Sequence, residues 1–234
     1  MTTLGMTQDR DRTLQKPMRR RSLVRQVLLT CGILSSLLYV ATDAVGAMRY
    51  PGYSFTSQAI SELAAIGAPT KALVDPLFIL YGFLALAFGV GMFREAGAGH
   101  RALRMTAVLL IAYATIGFTG FTMFPMHQRG VGSVASDFPH MVLTGVLVLL
   151  LLLTMGFGAT ALGRRFRVYS AATLLTVIVF GALTMPYPAR MEAGQPTPGF
   201  GIIERILVYS FLTWVAVLAV ALLRRRTPAT LSAS

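Results

Sequence analysis

The chain has 234 residues, 55% of them apolar, 10% aromatic and only 13% charged, with a mean hydropathy of +0.65. A soluble globular chain carries about 25% charged residues, so this composition argues against a soluble domain, and a single cysteine excludes a disulfide framework or a cysteine-rich metal site. The net charge of +12 would point to nucleic acid in a soluble chain, whereas in a membrane chain it can be no more than the mark of loops kept in the cytoplasm.

A membrane helix needs about 20 mostly apolar residues, and six stretches meet or approach that. An Arg-rich segment over 1–22 comes first and is expected to be a disordered cytoplasmic arm. Span 27–48 follows, interrupted only by Asp43. The arm resembles the charged region of a signal peptide, but the apolar run is too long and lacks a small-residue cleavage site, so the reading is a retained helix. In the first connection, Ser57 to Ile66 predicts a short amphipathic helix stopped by Gly67 and Pro69. Such a helix would lie on the membrane surface or cap the bundle.

Span 72–93 has Asp75 in its first turn, span 105–125 carries no charge, and span 138–162 is the most hydrophobic. Span 169–186 is shorter, and span 206–223 precedes a tail over 225–234. No segment shows a polar face of the width a soluble helix has. The expectation is an all-α, six-span integral membrane domain over 23–224.

The cations set the orientation. Arg10, Arg12, Lys16, Arg19, Arg20, Arg21, Arg25, Arg94, Arg101, Arg104, Arg164, Arg165, Arg167, Arg224, Arg225 and Arg226 fall on one side. Arg49, Lys71, Arg129, Arg190 and Arg205 fall on the other. The positive-inside rule places the larger set, and with it both termini, in the cytoplasm. Asp43, Glu62, Asp75, Asp137, Glu192 and Glu204 lie at or near the outer side, where insertion does not require them.

Those outer acids make the candidate site. A carboxylate within the membrane costs a few kcal/mol, so Asp43 should face a partner inside the bundle. Asp75 lies at similar depth, and Asp137 and His140 share a helix face at i, i+3. Three uses of the set are open. Asp43, Asp75, Asp137 and His140 can run acid/base chemistry, since crowded carboxylates push their pKa values apart. Asp137, His140 and His127 can hold a divalent metal with a further acid. Alternatively the acids only form salt bridges with Arg49, Arg129 and Arg205 that lock the bundle. Glu62 reads either as a solvated charge or as a lid residue, and Glu204 and Arg205 complete the rim, with Arg205 as an anion anchor.

Cys31 reads as a packing residue, and Gly117, Gly120, Gly156 and Gly158 as points of close helix approach. No P-loop, HExxH, GxSxG or CxxC motif occurs, and no cofactor is required. Nucleic acid is a poor partner, because the cations flank helices rather than form one domain.

Tyr50-Pro-Gly-Tyr53-Ser54, Ile60-Ser61-Glu62-Leu63, Gly67-Ala-Pro69, Phe124-Pro125, Asp137 with His140, and Gly201-Ile-Ile-Glu204-Arg205 resemble the pattern of bacterial membrane proteins grouped as domain of unknown function 998. The resemblance implies six membrane helices over roughly residues 27–223 and no established activity. On the outer rim, Tyr50, Tyr53, Ser54, Ser61, Glu62, Glu204 and Arg205 are the ligand-binding candidates. The functional expectation is an outer polar pocket in a bacterial plasma-membrane protein, binding or processing an amphiphilic, lipid-like molecule. A small, proton-coupled transporter and a structural or regulatory subunit are the alternatives.

Overall fold

The computed structural model describes residues 3–97, 99–131 and 134–225. Helix α1 spans Thr3–Arg49, α2 Lys71–Ala96, α3 Arg101–Met123, α4 Val134–Ala159 and α5 Arg164–Thr184; α6 is the short Tyr187–Glu192, and α7 spans Phe200–Arg224. Six of these are long and apolar enough to cross a membrane. The backbone of α1 is helical from Thr3 onward. The expected tail beyond residue 225 lies outside the described residues.

The six long helices pack in chain order, α1 on α2, α2 on α3, α3 on α4, α4 on α5 and α5 on α7, and α7 closes the ring on α1. Helix α7 is the most buried: Leu207, Phe211, Trp214, Val215, Leu218 and Leu222 all lie within it. Trp214 is fully buried and donates its indole N–H to Ser170 Oγ at 2.9 Å. The polar end of the ring therefore has its partner even in the core. Gly158 of α4 makes room for this ring, since a Cβ there would stand 2.5 Å from the indole. Gly120 similarly admits Leu143, whereas nothing stands near Gly156. Helix α5 is the loose member, with only Ser170 and Val177 buried.

The first long connection departs from prediction. In place of a helix over 57–66 there is one 3-10 turn, Ile60–Ala64, with Ile60, Glu62 and Leu63 buried. It packs on α1, α2 and α7 instead of lying exposed. The reason is tertiary. Ile60 and Leu63 pack with Val74, Tyr39, Tyr53 and Val208, and the Ile60 N–H, which a longer helix would use internally, is taken by Glu204 of α7.

Candidate functional site

The geometry gathers at the end of the bundle where α1 and α3 finish and α7 begins. Asp43 sits six residues before the end of α1 and is fully buried. Arg205 lies in the second turn of α7 and is 3% exposed. Their contact is bidentate, with Nε to Oδ2 and Nη2 to Oδ1 both at 2.8 Å. Tyr209, one turn further along α7, donates its hydroxyl to Asp43 Oδ2. The carboxylate that sequence marked as needing a partner has three donors.

Arg205 in turn holds the first loop. Its Nη1 donates to the carbonyls of Phe55 at 2.7 Å, Gln58 at 3.1 Å and Gly201 at 3.1 Å. Its Nη2 also donates to Tyr53 Oη at 2.8 Å, and the Phe55 ring covers the guanidinium at 3.7 Å. A guanidinium has five N–H donors, and here every nitrogen is engaged. The loop lies so flat on α7 that a Cβ at Gly201 would meet the Phe55 and Gln58 carbonyls. Burial raises the Tyr53 phenol above its ordinary pKa, with the Arg205 contact opposing. Tyr53 therefore stays protonated and donates to Ala59 O at 2.8 Å.

A second tier joins all three loops at this end. Glu62, 3% exposed, takes Arg129 Nη2 at 2.8 Å, Gln58 Nε2 at 3.1 Å and the Ala59 N–H at 2.8 Å. Arg129 reaches on to Thr197 Oγ1 at 2.6 Å and Gln195 O at 3.2 Å. Thr197 donates to Ser57 O at 2.6 Å. Glu204 Oε2 accepts the Ile60 N–H at 2.7 Å. Glu62 is therefore a buried, ion-paired carboxylate and not a solvated one.

The remaining predicted residues lie apart. Asp75 pairs with Lys71 at 2.8 Å along α2 and is partly exposed. Asp137 bonds His127 Nδ1 at 2.7 Å. His140 turns its Nδ1 to Phe124 O at 2.9 Å, so that nitrogen carries the proton. Asp43, Asp75, Asp137 and His140 thus take different partners and share none. Tyr50 accepts from Gln128 at 3.3 Å, Ser54 N donates to Gln58 Oε1 at 2.7 Å, and Ser61 is half-buried. Among the described residues no three His, Cys, Asp or Glu side chains stand together as a metal site.

Beside the cap, α5 and α7 diverge around a cleft of about 580 Å³. Phe55 and Arg205 close its upper end; Tyr169, Thr173 and Thr176 of α5 face Tyr209, Ser210 and Thr213 of α7 across it. Thr173 and Thr176 bond carbonyls of their own helix, at 2.9 and 3.1 Å. Among the described residues, no hydrogen bond ties the Ser210 or Thr213 hydroxyl. Sequence reasoning missed this lining. The available signal was hydroxyls at i and i+3 on two otherwise apolar spans, and Tyr209 one turn after Arg205.

Six helices apolar and long enough to cross a membrane, closed at one end by an ion-paired cap of loops, define a helical membrane-protein architecture. The chain belongs to the family described as protein of unknown function DUF998, which matches residues 33–221. The loop and rim motifs had pointed to the same family. No curated protein and no solved structure matches the chain.

Proposed function

We propose that the α5–α7 cleft binds a lipid-like amphiphile whose head is uncharged. The observation that carries this reading is the cleft's chemistry. It offers the untied hydroxyls of Ser210 and Thr213 between apolar walls, while its one charged group, Arg205, has no donor left. A pocket with apolar walls and a few polar groups suits an amphiphile. An anionic head would need a free cation, and burying it unpaired would be costly. The role of Arg205 is then to position, not to anchor an anion: with Asp43 it fixes the cap that roofs the cleft. In this reading the protein sits in a bacterial plasma membrane with the cap outward, as the cation distribution predicts.

A photoactivatable diacylglycerol in mixed micelles tests the proposal. Crosslinks should concentrate on peptides of α5 and α7, and the double substitution Ser210→Leu with Thr213→Leu should remove them while the protein elutes as before. Crosslinks spread evenly over the six helices would sink it. That outcome would favour the second reading, a structural subunit, which the saturation of Arg205 and Arg129 by protein acceptors supports.

A further inference from the structure

The opposite end of the bundle carries a different chemistry. Arg94, Arg101, Arg104, Arg164, Arg165, Arg167, Arg224 and Arg225 are all exposed there. Among the described side chains, Glu95 is the one acid at this end, and it is taken by Arg25 at 2.8 Å. Residues 1–22 add six cations and two acids to the same side. The collar is therefore cationic with almost nothing to balance it.

Two further features narrow its partner. The first is order. Arg25 bonds Glu95 of α2 and the carbonyls of Leu222 and Arg225, at 2.8 and 3.2 Å. This one side chain, midway along α1, ties that helix to the last turns of α2 and α7, and Arg104 of α3 is held over the Phe93 ring at 4.8 Å. Arg94 and Arg225 thus stand at or next to residues that Arg25 holds, and Arg104 is attached to the same end of α2 through Phe93. The second is the company they keep. Phe93, next to Arg94 and under Arg104, and Met105, next to Arg104, are 38% and 41% exposed, and Leu23 and Val168 elsewhere on the collar are 53% and 63% exposed. A nucleic acid or an acidic protein would leave that apolar surface in water. A phospholipid covers it with its chains while the phosphate meets the guanidinium.

We propose that this collar is a binding surface for anionic phospholipids of its own membrane, centred on Arg94, Arg104 and Arg225. Residue choice supports it beyond the insertion rule, which counts Lys and Arg alike. Of the 21 cations two are lysine, Lys16 and Lys71, and neither belongs to these helix ends. Arginine presents a planar fork that grips phosphate with two parallel bonds, which lysine does not.

The full chain in neutral detergent, with dioleoylphosphatidylglycerol or dioleoylphosphatidylcholine added, tests this by retained lipid in native mass spectrometry and by Tm. Phosphatidylglycerol should be retained preferentially and raise Tm, and 500 mM salt should weaken both effects relative to 50 mM. The Arg94→Gln, Arg104→Gln, Arg225→Gln triple variant should bind it about a hundredfold more weakly, since each cation near the lipid surface is worth about fivefold. Arg104→Gln alone should lose about fivefold, so the test survives if the triple variant fails to fold. Replacing all three by lysine should recover only part of the affinity. Equal retention of phosphatidylcholine, full recovery with lysine, an equal Tm rise from free glycerol phosphate, or displacement of the lipid by an RNA oligonucleotide would overturn the proposal.

Discussion

At the scale of single residues, the Asp43–Arg205 contact decides what the candidate site is. A buried, bidentate ion pair gains little net stability over an apolar pair, but removing one member leaves an uncompensated charge and costs about 3–5 kcal/mol. Asp43→Ala should therefore lower Tm sharply in detergent, because Arg205 is only 3% exposed and cannot turn to water. Asp43→Leu combined with Arg205→Met should recover only part of the loss, since the Phe55 and Gln58 carbonyls also depend on the guanidinium. An Asp43→Ala variant that melts with the parent would mean the pair is not buried as described. This half of the site was legible in the sequence, because a lone acid inside an apolar run must find a partner. Its partner, 162 residues away, was one of three cations offered for a salt-bridge lock, with nothing in the sequence to single it out. Asp75 has a local partner instead, Lys71 one turn earlier on the same helix.

At the scale of elements, the spans were readable because hydropathy is a sum over neighbours along the chain, and each of the six needs nothing else to be recognised. The loop turn was not. Its extent depends on Glu204 capturing the Ile60 N–H and on Arg129 capturing Glu62, contacts 144 and 67 residues apart in sequence. The glycines show the same division. Gly156 and Gly158 look alike as a pair, yet only Gly158 faces Trp214, the chain's single tryptophan. Gly158→Ala should force that ring aside, with a cost of about 1–3 kcal/mol typical of overpacking. The expected readout is a red-shifted tryptophan emission and a lower Tm. Gly156→Ala should leave the emission alone and stabilise the helix slightly, by up to about 1 kcal/mol. Identical behaviour of the two variants would contradict the packing of α4 on α7.

At the scale of the molecule, the two ends differ in how their charges are used. One end ties Lys71, Arg129 and Arg205 to acids and carbonyls; the other, Arg25 apart, leaves its arginines exposed. The proposed orientation puts the first outside. Cys31 is 8% exposed, so a Cys31→Ser background is clean. In intact cells an impermeant maleimide should label Arg49→Cys, and label Arg101→Cys only after permeabilisation. The reverse pattern would invert the orientation. The paired end also behaves as one unit, because Arg129 lies in the middle loop yet ties the first loop through Glu62 and the third through Thr197 and Gln195. Bonds to a charged group are worth about 1.5–3 kcal/mol, which corresponds to roughly ten- to hundredfold in an opening equilibrium. Arg129→Gln should accordingly speed amide exchange by that factor both around residues 57–62 and around 195–199. Thr197→Val removes only the hydroxyl and should loosen the third loop more than the first, because Gln58 and the Ala59 N–H still hold Glu62. If the Arg129→Gln effect stays within 124–131, the three loops open independently and the cap is not a single structure. A rise in both distant loops, from a substitution in neither, would show that the roof over the α5–α7 cleft moves as a whole.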